Sequence, residues 1–229
     1  MRRLIATVAA ALLLAAPARA QEPPALATVV TNGEAALSRP PDVAYLTLAV
    51  ETRAKNPRDA QRQNAGAMAG VQKQIAAAGI PKDALRTLGL WLEQEFDNVN
   101  LRRVSRGFVA RNTLDVRIDE VARAGEIADA VVQGGATSLG GIRFDLKDRS
   151  AAEREALRLA VADARLRADA AVSGAGRTVD RILKIEDSRA DVIVAHRMIM
   201  RADASAAQTA VEPGLIEVRA RVVLTASMK

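Results

Sequence analysis

The chain has 229 residues, of which 49% are hydrophobic, 26% charged and 2% aromatic, and its formal net charge is +6. This length suffices for one large domain or two small ones with a substantial buried core. The sequence has no cysteine and one histidine, which excludes disulfides, thiol catalysis, cysteine-based zinc sites and two-histidine metal sites.

Residues 1–20 predict a secretory signal peptide. Residues 1–3 carry two arginines, residues 4–16 are an uncharged and mostly apolar run, and an Ala-Arg-Ala cleavage pattern ends at Ala20. The apolar run is shorter than the roughly 20 residues that a membrane-spanning helix needs. We expect cleavage between Ala20 and Gln21, export to the periplasm, and no membrane span in the mature chain.

The predicted cleavage also changes the charge. Three arginines are lost with the signal peptide, so the net charge falls from +6 to +3. Basic and acidic residues alternate in the remainder, for example at 163–169, which is typical of a solvated helix face. No basic patch is evident, so we expect no nucleic-acid partner.

Two strands are predicted after a short flexible lead at 21–27. Residues 28–38 are typical of a strand, but Asn32-Gly33 predicts a turn or bulge within it. Residues 39–42, with two prolines, form a rigid break. The next strand alternates with period two and places four residues on its core face: Ala44, Leu46, Leu48 and Val50.

A helix is predicted from an N-cap at Asn56, with Pro57 in its first turn, to Gly79. Residues 85–96 then predict a strand, and residues 97–100 predict a hairpin loop. The strand that follows, at 108–118, alternates with the same period. Its predicted core face consists of Asn112, Leu114, Val116 and Ile118.

Two more helices are predicted in the second half. One begins at an N-cap, Asp119, and ends at Gly134-Gly135; a short strand with Ile142 and Phe144 inward follows it. The other runs over 150–175, and strands are predicted at 179–185, 191–200 and from Ile216 onward, with a loop at 202–210. The buried stripe expected on the long helix is Leu157, Val161, Ala164, Ala168 and Ala171.

The order strand, helix, two strands occurs at 43–118 and again at 142–224. Alternating strands indicate sheets with one solvated face, and long hairpins indicate antiparallel pairing. The predicted class is α+β, with mostly antiparallel sheets packed against two or three helices in two similar halves. Residues 28–229 are expected to form this one domain.

Several motifs resemble one known family in their order along the chain. They are Thr31-Asn32-Gly33-Glu34-Ala35 with Pro41-Asp42-Val43-Ala44, Asn64-Ala65 with Met68, Gly79-Ile80, Arg86-Thr87, Gly107-Phe108-Val109-Ala110-Arg111-Asn112, Gly141-Ile142-Arg143-Phe144 and Glu212-Pro213-Gly214. This set resembles the SIMPL domain family, or domain of unknown function 541, of the YggE-like periplasmic proteins. Thr31 and Ala35 depart from the usual valine and glycine of the first motif.

The resemblance implies an exported α+β protein. Some bacterial members assemble into large rings, and some are linked to oxidative-stress tolerance. The family has no established catalytic residue, so the resemblance assigns none here.

Single residues that could carry chemistry have simpler structural interpretations. His196 could sense pH or bind a metal, but no further ligand lies near it in the sequence, and a strand or loop position is favoured. Copper binding or sacrificial oxidation could use the methionines, but core packing is favoured for them. The methionines concerned are Met198, Met200 and Met228.

A row of carboxylates, Glu93, Glu95 and Asp97, shares one strand face and could bind a hard cation or hold an acid–base pair. A solvated sheet face is the favoured interpretation. Gly134-Gly135 and Gly140-Gly141 lack the Gly-Lys-Ser/Thr sequence of a phosphate loop and predict a flexible turn between the second helix and the next strand. No cofactor, metal site or catalytic group is predicted.

The favoured hypothesis is therefore a non-enzymatic, exported, homo-oligomeric envelope protein that protects against stress. The alanine face of the long helix and the outward-facing residues Glu217, Arg219 and Arg221 are candidate subunit contacts. The alternative is a monomeric periplasmic module that binds a small ligand or peptide, with residues 187–211 as a lid. An enzyme is the weakest hypothesis, because a hydrolase needs an acid–base pair and the sequence contains only scattered carboxylates.

Overall fold

The computed structural model describes residues 26–99, 102–188 and 211–229. Within them the chain forms seven strands and three α-helices. In chain order these are β1 (Thr28–Arg39), β2 (Val43–Ala54), α1 (Pro57–Ala77), β3 (Leu85–Val99), β4 (Arg102–Ile118), α2 (Ala124–Gln133), β5 (Ser138–Asp145), α3 (Arg149–Gly174), β6 (Val179–Asp187) and β7 (Ile216–Met228). The strand predicted at 191–200 and the loop predicted at 202–210 lie outside the described residues.

The strands form two antiparallel sheets, each with helices packed on one face. The first sheet has the order β1-β7-β6 and packs against α3, and the second has the order β3-β4-β2-β5 and packs against α1 and α2. The predicted α+β class is confirmed. The two halves differ in strand number: the first sheet has three strands and the second has four. β5 pairs with β2 in the second sheet, and β1 pairs with β7 in the first.

The core of the second sheet follows the predicted period-two and helical patterns. Alternate residues of β2 and β4 point towards the helices, and every fourth or third residue of α1 points back at them. The four residues predicted for the core face of β2 are all fully buried. The main side chains of this core are Leu46, Leu48, Val50, Met68, Val71, Ile75, Leu114, Val116, Ile118, Ile127 and Val131.

The predicted start of α1 is confirmed. Its N-cap is Asn56, whose side-chain oxygen accepts a hydrogen bond of 2.9 Å from the backbone N–H of Asp59. Pro57 occupies the first turn, where its missing N–H costs no helical hydrogen bond.

The predicted start of α2 at Asp119 is wrong. A short 3-10 segment, Val121–Arg123, comes first, and the α-helix begins at Ala124. The carboxylate of Asp119 instead pairs with Arg117 at 3.5 Å and with Lys147 at 3.3 Å. One partner, Arg117, is a near neighbour at the end of β4, and the other, Lys147, lies after β5 and is distant in the sequence.

Two motif residues support the packing of the second sheet. Asn64 is buried, and its side-chain amide donates hydrogen bonds to the carbonyl oxygens of Val50 at 2.8 Å and Ala110 at 2.9 Å. Gly107 has φ of 114°, and a Cβ there would lie 2.5 Å from the carbonyl oxygen of Ala54. These residues thus have structural roles.

The β3–β4 hairpin is longer than predicted. Residues 97–99 of the predicted loop continue β3, because cross-strand contacts support them. Asp97 pairs with Arg106 at 3.2 Å, and the guanidinium of Arg103 lies 4.4 Å from the ring centroid of Phe96. Asp and Asn favour turns by local propensity, but here these tertiary pairs prevail.

No turn or bulge interrupts β1 at Gly33, contrary to the prediction. The pairing of β1 with β7 is continuous from one end of the strand to the other. A Cβ placed on Gly33 would lie 2.0 Å from the carbonyl oxygen of Ala160 and 2.5 Å from the backbone nitrogen of Ala164. The glycine therefore lies where the backbone of α3 contacts the strand.

The buried face of α3 differs in part from the predicted stripe. Ala164 and Ala168 are buried as expected, and Leu157 and Val161 lie half-buried at the margin of the core. Ala171 is exposed, so its prediction is wrong. The small side chains allow the close approach of helix and strand, and the buried residues recur at every fourth position. They are Ala152, Ala156, Ala160, Ala164, Ala168 and Val172.

Candidate functional site

A cleft lies on the face of the second sheet opposite α1 and α2. Its volume is about 400 Å³, within the range of about 300–1,000 Å³ typical of small-ligand sites. The core-facing residues of β2 and β4 alternate with those that point into the cleft. The lining residues are Glu51, Trp91, Glu93, Val109, Arg111 and Thr113.

The pairing of the strands places three of these residues in one row across the sheet. Glu51 of β2 is the partner of Arg111 on β4, and Trp91 of β3 is the partner of the same arginine on its other side. Directly opposed residues have Cβ atoms about 5 Å apart, so their side chains are neighbours. The row brings a carboxylate, a guanidinium and an indole together.

Gly89 lets the indole of Trp91 lie over its own strand. A Cβ on Gly89 would lie 2.3–2.9 Å from the nearest three atoms of the indole ring. The ring is therefore folded down onto the glycine backbone. Trp91 remains 47% exposed, so the indole forms an accessible aromatic surface beside Arg111.

Some of the charged side chains around the cleft form ion pairs and others do not. Arg53 pairs with Glu51 at 2.6 Å and with Glu95 at 3.4 Å. The side chains of Glu93 and Arg111, in contrast, make no ion pair or hydrogen bond within the described part of the chain. An uncompensated anion and an uncompensated cation thus lie in the same cleft.

The predicted row of carboxylates is present on one face, but its members have different surroundings. Glu93 lines the cleft, Glu95 pairs with Arg53, and Asp97 pairs with Arg106 at 3.2 Å. Among residues 26–99, 102–188 and 211–229, no cluster of three or more His, Cys, Asp or Glu side chains could hold a metal ion. The arrangement is that of a solvated sheet face on which Glu95 and Asp97 are ion-paired and Glu93 is not.

The candidate subunit contacts on β7 have partners within the chain. Arg219 binds Glu217 through two hydrogen bonds, of 2.8 and 3.1 Å, and these bonds lower the pKa of the Glu217 carboxyl. Arg221 pairs with Glu34 of β1 at 2.8 Å. The alanine face of α3, the other candidate contact, packs against β1 and β7 and is buried within the chain.

The remaining sequence candidates lie outside the cleft or outside the described residues. Met228 is half-buried in β7, and Gly134-Gly135 follows α2 in the predicted turn. Gly140-Gly141 was predicted to share that turn and instead lies within β5, where the pairing with β2 shifts register. The candidates outside the described residues are Ala20, Gln21, His196, Met198 and Met200.

Shifted pKa values elsewhere have structural causes. The backbone N–H of Ala151 lowers the pKa of Asp148 at the start of α3, and the backbone N–H of Glu34 lowers that of Asp163. None of these groups lines the cleft. They are helix-capping and helix-to-strand contacts.

The sequence analysis missed the cleft because strand register was unknown. Trp91 was one of five dispersed aromatic residues, and Arg111 was one of many outward-facing charges. The period-two pattern at 108–118 indicated that Arg111 faces away from the core, and no face was predicted for Trp91. Only the pairing of β3 with β4 shows that they are opposite each other.

The chain is an α+β protein with two antiparallel sheets, each packed against helices on one face. The open face of the second sheet carries the cleft with its aromatic and charged residues. The chain belongs to the SIMPL family, described as protein of unknown function (DUF541), whose profile matches residues 29–226. The resemblance predicted from the ordered motifs is confirmed.

Two curated relatives are similar to this chain over 70% and 73% of its length. The 26 kDa periplasmic immunogenic protein of Brucella melitensis biotype 1 is 31% identical over 166 residues, which are 70% of this chain and 66% of that protein. The uncharacterised protein YggE of Escherichia coli K12 is 21% identical over 168 residues, or 73% of this chain and 68% of YggE. In the described part of the chain, no helix has the length and hydropathy needed to cross a membrane.

Proposed function

We propose that this chain is an exported, non-enzymatic SIMPL-family protein of the bacterial envelope that works as a homo-oligomer and protects the cell against oxidative stress. Residues 1–20 would direct the chain to the periplasm and be removed by cleavage between Ala20 and Gln21. The name of the Brucella relative, which places that protein in the periplasm, supports this location.

The main support for an oligomer is that β3 is an edge strand with exposed apolar side chains. β3 lies at the edge of its sheet and pairs with β4 alone. Three of its leucines, Leu88, Leu90 and Leu92, are 44–56% exposed. An edge strand offers unpaired backbone groups for pairing with another chain, and apolar side chains beside it add buried area on contact.

A second edge could complete a head-to-tail contact. β6 lies at the edge of the other sheet and exposes Ile182, Leu183 and Ile185. Two different complementary edges on one chain support a ring or a filament, whereas a single self-complementary edge supports a dimer. Glu217, Arg219 and Arg221 remain candidate contacts, which would have to exchange or share their present partners.

The absence of enzymatic activity is proposed from the ionisable groups. The carboxyls with lowered pKa values cap a helix or pair with arginines, as Asp148 and Glu217 do. A catalytic group is more often found with a shifted pKa inside a cleft. The perturbed groups in the described residues lie outside the cleft described above.

Light scattering on a size-exclusion column, with residues 21–229 at several concentrations, tests the oligomer. We expect a discrete assembly that Leu92→Glu disrupts, because a charge on the edge disfavours pairing. Leu166→Glu is the matched control, since Leu166 is 69% exposed on α3. Arg219→Ala shows whether the β7 face also forms the subunit contact: if only the β3 edge does, this variant should assemble like the parent chain. A monomer at every concentration would refute the oligomer.

The stress role is tested in cells. A strain that lacks the gene should lose survival in peroxide, and full-length protein should restore it. Protein without residues 1–20, or with Leu92→Glu, should not restore survival if export and assembly are both needed. Equal survival of all four strains would contradict the role.

A second candidate function is a monomeric periplasmic module that binds a small ligand or peptide. The cleft beside Trp91 and Arg111 favours it. The lid hypothesised at 187–211 lies almost wholly outside the described residues. Thermal-shift screening distinguishes this function from the first, because a bound ligand stabilises the folded chain by mass action.

A further inference from the structure

We propose that the cleft on the open face of the second sheet binds a free α-amino acid with an aromatic or large apolar side chain. The inference deepens the second candidate function and is independent of the oligomeric state. It rests on three groups in the cleft: the indole of Trp91, the guanidinium of Arg111 and the carboxylate of Glu93.

The indole supplies the apolar contact. It lies on Gly89, which has no Cβ to lift it, and its upper face remains exposed. Flat apolar or aromatic groups stack on such a surface, and aromatic pairs gain energy beyond their buried area. A ligand side chain can therefore lie on Trp91 without any rearrangement of the strand.

The two uncompensated charges supply the polar contacts. Trp91 is directly opposite Arg111, and Glu93 is two residues further along β3 on the same face, opposite Val109. Glu93 and Arg111 are thus diagonal neighbours, with Cα atoms about 7–8 Å apart, within reach of two long side chains. The α-carboxylate of an amino acid would accept hydrogen bonds from Arg111, and its ammonium would donate to Glu93.

The charge pattern selects this ligand over a simple anion or cation. A ligand with only a negative charge would leave Glu93 without a partner of opposite charge. A ligand with only a positive charge would leave Arg111 without one. A zwitterion compensates both, because its two charged groups are attached to one carbon atom. The nearby pair of Arg53 with Glu51 keeps those two charges from competing for the ligand.

Trp91 is the sole tryptophan of the chain, so its fluorescence reports on this cleft. The mature chain is titrated with L-phenylalanine and with L-leucine, neither of which contributes tryptophan emission. We expect a saturable change in emission for both. N-acetyl-L-phenylalanine lacks the ammonium, and L-phenylalanine amide lacks the carboxylate. Each should bind about tenfold more weakly, as expected for loss of a hydrogen bond to a charged group.

Variants test the assigned contacts. Arg111→Gln and Glu93→Gln should each weaken binding about tenfold, since both remove a charged partner. Arg58→Gln is the matched control, because Arg58 is exposed on α1, which packs on the opposite face of the sheet. Gly89→Ala should shift the emission of the free protein and weaken binding, because the new Cβ lifts the indole. Circular dichroism of each variant verifies that it is folded.

Three results would overturn the proposal. One is the absence of a saturable response to both amino acids. Another is binding that is unchanged in Arg111→Gln and Glu93→Gln. The third is an emission that follows protein concentration instead of ligand, which would make this face a subunit contact. Light scattering of the same samples separates failure of ligand binding from failure of the oligomer.

Discussion

Replacement of Gly33 by alanine tests the closest contact between a strand and a helix. The new Cβ would lie 2.0 Å from the carbonyl oxygen of Ala160, 2.5 Å from the nitrogen of Ala164 and 2.6 Å from its Cβ. Two of these atoms are backbone atoms and cannot rotate away. To reach the 3.4 Å of an ordinary contact, α3 would have to move from β1 by about 1.4 Å.

That movement has two costs. Overpacking of a well-packed core typically costs about 1–3 kcal/mol. The shift would also stretch two hydrogen bonds between helix and strand, each contributing about 0.5–1.5 kcal/mol. These join Thr31 Oγ1 to the carbonyl oxygen of Ala164 at 2.8 Å, and the backbone N–H of Glu34 to Asp163 at 3.0 Å. We expect Gly33→Ala to lower the free energy of unfolding by about 2–6 kcal/mol.

Urea unfolding followed by circular dichroism measures this change. Gly66→Ala is the matched control: Gly66 lies within α1, and a Cβ there meets no atom within 4 Å. The control should gain about 0.5–1 kcal/mol, because alanine favours helix over glycine. If Gly33→Ala is as stable as the control, the helix is free to move and the argument from close contact is refuted. Rescue by Ala164→Gly would also refute it, because the clash with the Ala160 carbonyl would remain.

The remaining predictions concern the second sheet and the α3 contact. Asn64→Leu should destabilise the fold by about 2–4 kcal/mol in urea unfolding, since it removes two buried hydrogen bonds, while Gln63→Leu, on the exposed side of α1, should change little. The pKa of Asp163 is lowered by the backbone N–H of Glu34 and then by Arg167. Its stabilising contribution is therefore complete above the unfolded pKa of about 3.9 and is lost as pH falls through the folded pKa. Thermal melts of Asp163→Asn should show a smaller loss of stability below about pH 4 than the parent chain, and an identical pH profile would contradict this assignment.

The two sheets use their faces differently, and this has consequences for function. In the first sheet, ion pairs such as Arg221 with Glu34 occupy the open face. In the second sheet, the open face keeps Arg111 and Glu93 without partners in the described residues. Exposed ion pairs contribute little to stability, so breaking the pairs on the first sheet would cost little. The second sheet's open face has the chemistry to bind a ligand.

Local patterns in the sequence were sufficient for most of the elements. The alternation of Leu46, Leu48 and Val50 identified a strand and its core face, and Asn56-Pro57 identified the start of a helix. Both signals depend on the residue itself and its near neighbours. The ordered motifs were also sufficient for the family, which the profile over 29–226 confirms.

Tertiary contacts decided what local patterns could not. Asn32-Gly33 has the composition of a turn, but the glycine is required by the backbone of α3, which is about 130 residues away in the chain. Asp97 has turn propensity, yet its pairing with Arg106 keeps it in a strand. For Gly33 the partner is distant in sequence, whereas for Asp97 it is the cross-strand pairing of the hairpin that outweighs a local preference of a few tenths to about one kcal/mol.

For the cleft too, local patterns determined part of the arrangement and tertiary contacts the rest. Period two alone predicted that Glu93 and Arg111 face away from the core, and it assigned no face to Trp91. Which of them are neighbours depended on the register of β3 against β4, and a shift of one residue would have moved each to the other face. Register is set by the packing of the whole sheet against α1 and α2. The sequence by itself therefore determined the elements and the family, whereas the three-dimensional packing decided the site.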